Sequence, residues 1–265
     1  MKIEFTKMHG AGNDFVMIDD RAGSFPVENQ SLIRAIATRG TGVGCEGVIL
    51  VQPSASCDFR MRFFNPDGGE AEMCGNGARC IAKFARKIGA VEKDVMSFET
   101  LAGEIKAEIL SATSVRVTLP EPTDFRGDFV NTGVPHKIVV VDDLENTDVV
   151  NLGRSIRYSE EFAPRGTNVD FIHIDSPQEL SIRTYERGVE DETGACGTGS
   201  TAAALIGIAK YGMKAPVKVS TQMGYRLEIS ASYADGVFSG VTLTGPVSEV
   251  FSGIIDTNTL DFREK

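Results

Sequence analysis

Residues 69–80 read GEAEMCGNGARC and residues 191–202 read DETGACGTGSTA, so one pattern is written twice along the chain. Each copy has a glutamate, three further residues, and then Cys-Gly-x-Gly at the start of an alanine-rich stretch that is typical of a helix. The cysteines of the two copies are Cys74 and Cys196. Two cysteines in matched settings predict a matched pair of acid/base groups.

The repeat extends well beyond the two cysteines. A shift of about 121 residues places landmarks of the first half on the second half, in the same order along the chain. A solenoid has repeat units of roughly 20 to 50 residues, whereas a long unit that occurs twice predicts duplicated domains. The landmark pairs are Gly12 with Gly133, Asn65 with Glu186, Cys74 with Cys196, Thr100 with Thr221, and Gly103 with Gly224.

Both halves are predicted to be rich in strands, because β-branched and aromatic residues alternate between Gly, Pro and Asp breakers. Three helices are predicted: one near residue 31, one after Cys74 and one after Cys196. The last of these is apolar on nearly every face and should be buried at the centre of its domain. The predicted strands are 1–8, 14–19, 47–52, 58–64, 95–100, 103–110, 114–119, 136–141, 169–174, 180–186, 217–221, 225–230 and 236–243.

The start of a helix carries unsatisfied N–H groups and partial positive charge, which attract anions and lower the pKa of a thiol placed there. Glycines leave those N–H groups open to a ligand; here they are Gly75, Gly77, Gly197 and Gly199. Two such helix ends facing each other across a domain cleft would grip a carboxylate with one sulfur on either side. That arrangement favours inversion of a carbon next to a carboxylate, without a cofactor.

Composition narrows the class of protein. The chain has 265 residues, 42% of them hydrophobic, and a formal net charge of −10. This length allows two domains with a core each, and the negative charge without a basic tract argues against nucleic acid as a partner. The N-terminus lacks the pattern of a signal peptide, and no apolar run reaches membrane-spanning length. We therefore expect a soluble, cytoplasmic protein that does not bind membranes.

The remaining cysteines and the histidines give little sign of further chemistry. Five cysteines, an odd number, argue against a disulfide framework and for reduced thiols. With three histidines and no CxxC or HExxH pattern, no dedicated metal site is expected. Cys45, Cys57 and Cys80 are expected to be small buried side chains.

Four stretches together resemble the diaminopimelate epimerase family over nearly the whole chain: KMHGAGNDF at 7–15, FFNPDGGEAEMCGNGARC at 63–80, RGTNVDF at 165–171, and ERGVEDETGACGTG at 186–199. The resemblance implies an α+β fold of two homologous, pseudo-symmetric domains, each a curved mixed sheet or barrel around a central helix, with the active site in the cleft between them. The implied domains are 1–121 with 249–265, carrying Cys74, and 122–248, carrying Cys196.

The resemblance also implies the activity and its residues. The family is cofactor-independent and interconverts LL- and meso-diaminopimelate, in lysine and peptidoglycan precursor biosynthesis, using two cysteines as proton acceptor and donor. A homodimer is implied in the same way. Cys74 and Cys196 match the catalytic pair, and His136 and Glu186 match positions that modulate the cysteine pKa values. The matching substrate-binding positions are Asn13, Asn65, Gly75, Asn76, Asn168, Glu186, Arg187, Gly197 and Thr198.

Two departures from the family pattern stand out. Many members have GNPH where this chain has GVPH, so Val134 replaces an asparagine that would contact substrate. The segment before Cys196 is one residue longer than the shorter form of the motif, although Glu192 keeps the spacing to Cys196 that Glu70 keeps to Cys74. His136 alone would also suit a turn beside Pro135.

Two other functions remain open at the level of sequence. The same architecture could serve a proline-type racemase or an isomerase of the phenazine-biosynthesis type. From a different class, the two thiols could act as a redox switch, because cysteines at helix starts are readily oxidised. We expect Cys74 and Cys196 to be able to form an inactivating disulfide when no substrate separates them.

Overall fold

The computed structural model describes residues 1–194 and 196–262. The chain forms two compact units: a first unit of residues 1–117 together with the chain from 246 onward, and a second unit of residues 118–245. The domain boundaries inferred from the sequence, after residues 121 and 248, stay a prediction, and residues 263–265 of that assignment lie outside the described part.

The first unit is a mixed sheet. Parallel pairs join the strand at residues 13–19 to that at 48–52 and the strand at 59–64 to that at 95–100, and the other strand pairs of this unit are antiparallel. Its core contains Phe5, Val16, Ile33 and Leu50 among other apolar side chains. The strands are β1 Lys2–Gly10, β2 Asn13–Asp19, β3 Val48–Gln52, β4 Phe59–Phe64, β5 Glu70–Ala71, β6 Val95–Thr100, β7 Gly103–Ser111 and β8 Ser114–Thr118.

Two helices pack on this sheet. Helix α1, Gln30–Ala37, begins at Asn29, whose side chain accepts a hydrogen bond from the N–H of Leu32. Helix α2, Gly75–Lys87, packs against β1, β2, β3 and β7 and is buried along most of its first three turns. It ends before Gly89, which has a φ of 67°. Both helices were predicted from the sequence and are confirmed.

The second unit repeats this arrangement. Parallel pairs join the strand at residues 135–140 to that at 168–176 and the strand at 179–186 to that at 217–221, and the other pairs are antiparallel. The long strand at 237–256 carries the chain back into the first unit, where residues 247–256 pair with β1. The strands are β9 Thr123–Arg126, β10 Phe129–Asn131, β11 Pro135–Val140, β12 Asn168–Ser176, β13 Glu179–Glu186, β14 Asp191–Thr193, β15 Val217–Thr221, β16 Arg226–Ala234 and β17 Val237–Asp256.

Helix α4, Gly197–Tyr211, is the central helix of the second unit. It is buried from Gly199 to Gly207 and packs against β10, β11, β12, β13, β15 and β16, as its apolar character predicts. It ends at Gly212 in the left-handed conformation, with a φ of 69°. The strands around α4 therefore hold the buried part of this helix, which begins one turn after Cys196.

Every strand predicted from the sequence is present, but helix α3, Val149–Arg157, was not predicted. Short strands β5, β9, β10 and β14 were also missed, since two to four residues carry too little pattern. Within the described residues, no helix has the length and apolar character needed to cross a membrane.

Candidate active site

A bidentate ion pair lies just before each repeated cysteine. Arg62 on β4 donates to both carboxylate oxygens of Glu70 on β5, at 2.7 and 2.6 Å. Arg183 on β13 binds Glu192 on β14 in the same way, with both distances 2.7 Å. A forked guanidinium fixes the geometry of its carboxylate partner. The matched glutamate spacing seen in the sequence therefore reflects an equivalent clamp on the chain before Cys74 and Cys196.

Cys74 immediately precedes helix α2, in extended conformation. Its Sγ donates to Oδ1 of Asn13 at 3.7 Å, and Nδ2 of Asn76 donates to the same oxygen at 3.3 Å. The side chain of Cys74 is half-buried. The structure thus brings together three of the predicted site residues, and Gly75 joins them as the first residue of α2.

Beneath Cys74 lies a buried cation that the sequence analysis missed. Arg79 is fully buried and donates to the carbonyl of Gly75 at 3.2 Å and to Oδ1 of Asn76 at 2.7 Å. Because a guanidinium only donates, Oδ1 of Asn76 must face Arg79 and its Nδ2 must face Asn13. In residues 1–194 and 196–262, Arg79 forms no ion pair with a carboxylate. Burial lowers the pKa of Arg79, and the nearby thiols Cys80 and Cys74 oppose that shift.

Replacement of Arg79 by lysine is expected to destabilise the protein by about 1.5 to 3 kcal/mol, since a single ammonium cannot bridge both acceptors and leaves one buried and unsatisfied. Urea unfolding measures this change. Arg86→Lys, on the exposed side of the same helix, is the matched control and should change stability by less than about 0.5 kcal/mol. Equal stabilities of the two variants would show that the hydrogen bonds from the Arg79 guanidinium to Gly75 and Asn76 do not stabilise the start of α2.

Cys196 stands at the start of α4 in the equivalent position. Its Sγ accepts from the N–H of Gly199 at 3.4 Å and lies 3.3 Å from Oγ1 of Thr198. Burial raises the pKa of Cys196, and the carboxylates of Glu186 and Asp170 raise it further, while the two hydrogen bonds act in the opposite direction. The expectation that the helix start lowers the pKa of this thiol is therefore wrong for Cys196, because burial and the neighbouring negative charges outweigh the helix.

A buried polar network continues from Thr198. Nε2 of His136 lies 3.0 Å from Oγ1 of Thr198, and Nδ1 of His136 lies 2.7 Å from Oδ2 of Asp170. The hydroxyl of Thr184 donates to Oδ1 of Asp170 at 2.7 Å. His136 and Asp170 have no exposed side-chain surface. His136 lies in strand β11 and not in a turn, so the alternative reading of this histidine is wrong.

Sequence reasoning missed Asp170 and Thr184. The available signal was a polar residue at a position where the strand pattern places a buried one: Thr184 follows Leu180 and Ile182 on the inward face of β13, and Asp170 stands between Val169 and Phe171. A carboxylate inside a sheet is stable only when its oxygens are satisfied, and here His136 and Thr184 satisfy both.

The equivalent positions of the first unit are apolar. A shift of about 121 residues places Phe15 on His136, Ile49 on Asp170 and Phe63 on Thr184, and the strand registers agree, since Met17 pairs with Ile49 as Ile138 pairs with Asp170. Phe15 and Phe63 pack edge to face, with ring centroids 6.1 Å apart. One repeat therefore has a hydrophobic cluster behind its cysteine helix where the other has a hydrogen-bonded network.

The predicted residues near His136 are also assembled in the second unit. Nδ2 of Asn168 donates to the carbonyl of Pro135 at 3.1 Å, and its Oδ1 accepts from the N–H of Arg187 at 2.8 Å. Glu186 accepts from Oγ1 of Thr193 at 2.9 Å. Asn168 thereby holds the start of the β13–β14 turn in place.

Other predicted residues make backbone contacts. Asn65 lies in the exposed turn after β4, where its N–H donates to the carbonyl of Gly69 at 2.8 Å. The carbonyl of Gly197 accepts from Oγ1 of Thr201 at 2.9 Å, as that of Gly75 accepts from Arg79. The carbonyl of Val134 accepts from the N–H of Thr132 at 3.1 Å and closes the turn between β10 and β11.

The cysteines outside the repeated pattern differ among themselves. Cys45 and Cys80 are buried as expected, and burial raises the pKa of Cys45 to about 11 and that of Cys80 to about 12. Cys57 is only half-buried, so the expectation of a buried side chain is wrong there. It precedes β4 and contacts the side chains of Ser54 and Ser56.

Solved structures of other proteins share this fold. A phenazine-biosynthesis protein of the PhzF family from Bacillus anthracis matches 96% of this chain and 99% of its own, with a TM-score of 0.73 and 18% identity. A hydroxyproline epimerase from Agrobacterium vitis matches 96% and 92%, with a TM-score of 0.67 and 16% identity. The predicted α+β fold of two homologous domains is confirmed as the two-repeat fold of these proteins.

Comparison with related sequences then identifies the protein family. The family profile described as diaminopimelate epimerase matches residues 5–123 and 129–249. The diaminopimelate epimerase of Aquifex aeolicus is 43% identical over 98% of this chain and 100% of its own length, and that of Flavobacterium psychrophilum is 40% identical over 94% and 98%. The chain belongs to the diaminopimelate epimerase family, and it is an isomerase of the epimerase type.

Proposed function

We propose that this enzyme interconverts LL- and meso-2,6-diaminopimelate by moving a proton at the α-carbon between Cys74 and Cys196. The observation that carries the proposal is the presence of a thiol at the start of each repeated helix, clamped in the same way in both units. The names of relatives about 40% identical over nearly the full chain support diaminopimelate as the substrate. The reaction would serve lysine and peptidoglycan precursor biosynthesis.

The proposed chemistry uses one cysteine as thiolate and the other as thiol. The thiolate removes the proton from the α-carbon, and the opposite thiol donates a proton to the other face, which inverts the carbon. Negative charge develops on the adjacent carboxylate, and N–H groups at the starts of α2 and α4 stabilise it. Gly75, Asn76, Gly197 and Thr198 supply these groups. This route needs no cofactor.

The distal end of diaminopimelate carries a second ammonium and a second carboxylate. We assign its carboxylate to Arg187, which can bind it as a fork, and its ammonium to Glu186 and side-chain carbonyls. Asn13 and Asn65 complete this set. Both ends of the Asn168 amide are already bonded, which supports a role in fixing the backbone of Arg187. The side chain of Val134 cannot form a hydrogen bond, so a backbone group or a water molecule must bind the substrate at this position.

Hydrogen exchange at the α-carbon tests reaction class and substrate together. In deuterated water, LL- and meso-diaminopimelate are expected to exchange their α-hydrogen in the presence of the enzyme, while proline and trans-4-hydroxyproline are not. Mass spectrometry and NMR measure the exchange. The Cys74→Ala/Cys196→Ala double variant is the control for exchange that does not depend on the thiols.

Exchange of proline with no exchange of diaminopimelate would instead favour a proline-type racemase. A redox switch predicts that oxidation controls activity through a Cys74–Cys196 disulfide. Recovery of the activity of an oxidised sample on addition of reductant would agree both with this switch and with the inactivating disulfide expected above. The homodimer and the cytoplasmic location implied by the family stay predictions.

A further inference from the structure

Three polar side chains at the start of helix α2 form a series of hydrogen bonds that begins at Arg79. The guanidinium of Arg79 donates to Oδ1 of Asn76 at 2.7 Å, and Nδ2 of Asn76 donates to Oδ1 of Asn13 at 3.3 Å. A guanidinium has donors only, whereas a side-chain amide has one donor end and one acceptor end. Arg79 therefore sets which end of Asn76 faces Asn13, and Asn76 sets which end of Asn13 faces away.

The amide of Asn13 cannot turn over without loss. Reversal would place its NH2 group against the NH2 group of Asn76, and both groups only donate. The S–H of Cys74 also donates to Oδ1 of Asn13, at 3.7 Å, so reversal would break this contact as well. Nδ2 of Asn13 must therefore face away from Asn76 and Cys74.

The donor end of Asn13 is open to a ligand. In the part of the chain that the structure describes, Nδ2 of Asn13 has no protein hydrogen-bond partner. Solvent reaches this atom, because Nε of Arg79 is the one fully buried side-chain atom without a partner among the same residues. An N–H group of fixed direction calls for an acceptor, and a carboxylate oxygen forms the stronger, charge-assisted bond.

The backbone brings the members of the series together. Gly10 pairs with Asn13 at the end of the β1–β2 hairpin. A Cβ at Gly10 would lie 2.8 Å from the carbonyl oxygen of Asn76 and 3.4 Å from Nη2 of Arg79. Glycine at this position therefore lets the hairpin approach the start of α2 closely enough for Asn13 and Asn76 to bond.

The second unit does not repeat the series. Oγ1 of Thr201 donates to the carbonyl of Gly197, which matches only the bond from Arg79 to the carbonyl of Gly75. The side chain of Val134 has no donor. A side-chain amide donor at this position is therefore a property of the first unit. The repeat aligns Asn13 with Val134, Asn76 with Thr198, and Arg79 with Thr201.

We propose that Arg79 is a positioning residue that acts through Asn76 to fix Asn13 as a hydrogen-bond donor to a substrate carboxylate. Asn13 then cannot accept from an ammonium group. A neutral glutamine at position 79 could present either end of its amide, so this role requires a cation, and it gives a reason for burying a guanidinium. The inference rests on the proposed function, in which Asn13 contacts diaminopimelate, and narrows that contact to a carboxylate oxygen.

Asn13→Asp tests the sign of this contact. The new carboxylate can still accept from Asn76, while its other oxygen replaces the donor. KM for diaminopimelate should rise at least about tenfold, because a charge-assisted bond is lost and like charges face each other. Asn258→Asp adds the same charge at an exposed position and should leave KM within about twofold. A KM that is unchanged or lower in Asn13→Asp would overturn the proposal, since an ammonium contact would be strengthened.

A double-mutant cycle tests whether Arg79 acts through Asn13. Asn13→Ala should raise KM at least about tenfold in the parent protein, because the donor to a charged group is removed. In Arg79→Met, the amides are free to turn over, and Asn13→Ala should raise KM by less than about threefold. A purely structural role of Arg79 would give the same factor in both backgrounds, and that result would refute the proposal.

Neutron diffraction from a deuterated crystal gives a readout that needs neither substrate nor variants. Deuterons distinguish the nitrogen of each amide from its oxygen. They are expected on the atom of Asn76 that faces Asn13, and on the atom of Asn13 that faces away from Asn76. Deuterons of Asn13 that face Asn76 would contradict the proposal even if Arg79→Met failed to fold. Failure of the exchange panel with diaminopimelate would leave this result unchanged, so the two proposals fail separately.

Discussion

Replacement of either Cys74 or Cys196 by alanine is expected to abolish the interconversion of LL- and meso-diaminopimelate. In the proposed mechanism, each variant lacks one of the two groups that act on opposite faces of the α-carbon. A positioned acid or base contributes about 10²- to 10⁴-fold to a rate, and inversion requires both, so kcat should fall by at least about 10³-fold. Coupled assay of meso-diaminopimelate formation measures this loss.

The single variants should retain one half-reaction. A remaining thiolate can still remove the α-proton on its own face, exchange it with solvent and return deuterium without inversion. Cys74→Ala is therefore expected to exchange one stereoisomer and Cys196→Ala the other. This reciprocal pattern distinguishes loss of a base from loss of binding, which would remove both exchanges.

Cys57→Ala is the matched control, because this half-buried cysteine lies outside the repeated pattern. It should leave turnover unchanged. Inversion at near-normal rate by either site variant would exclude the two-cysteine mechanism. Loss of turnover in Cys57→Ala with retained folding would instead place an essential thiol elsewhere.

Alanine in place of Gly199 is expected to be far more damaging than alanine in place of Gly77, although the two glycines are equivalent in the repeat. A Cβ at Gly199 would collide with Oδ1 of Asp170 and lie 3.3 Å from Cε1 of His136. Both groups are fixed by hydrogen bonds, so overpacking should cost about 1 to 3 kcal/mol and disturb the network behind Cys196. The urea midpoint and kcat measure the two effects.

At Gly77 the same Cβ would lie 2.7 Å from Cδ1 of Ile49, the flexible end of an aliphatic side chain, and 3.5 Å from Cε of Met61. Small rotamer changes can relieve that contact, and alanine gains about 1 kcal/mol of helix propensity over glycine. Gly77→Ala should therefore fall within about 1 kcal/mol of the parent protein. Similar losses for both variants would show that the two interiors are equally adaptable.

Most helices and strands could be predicted from the local sequence pattern. Helix α3 could not, and the reason is physical. Helix α3 contains Gly153 in its middle, which weakens helix propensity, yet a Cβ there would collide with the ring of Tyr185. The glycine is required by close packing that is not visible in the sequence around it. Helix α3 could have been predicted from the repeat, since α3 in the second unit corresponds to α1 in the first.

Some residues of the candidate site could be predicted from the sequence and others could not. Cys74, Cys196 and the helix-start residues follow from the repeated motif. Arg79 and Asp170 do not, because a charged residue in sequence normally indicates solvent, and only tertiary packing places these two inside. The thiol pKa of Cys196 was predicted with the wrong sign for a related reason: the helix start is a local feature, whereas burial and the carboxylates of Glu186 and Asp170 come from other elements.

The difference between the two interiors restricts how one repeat could have diverged from the other. The first unit has Phe15, Ile49 and Phe63 where the second has His136, Asp170 and Thr184. The strand registers are the same, so single substitutions separate the two interiors. An aspartate introduced first would have been an unpaired charge among aromatic rings, at a cost of several kcal/mol. A histidine or threonine introduced first costs much less. The mutational path between the two copies is therefore ordered, with Asp170 as the last residue gained or the first one lost.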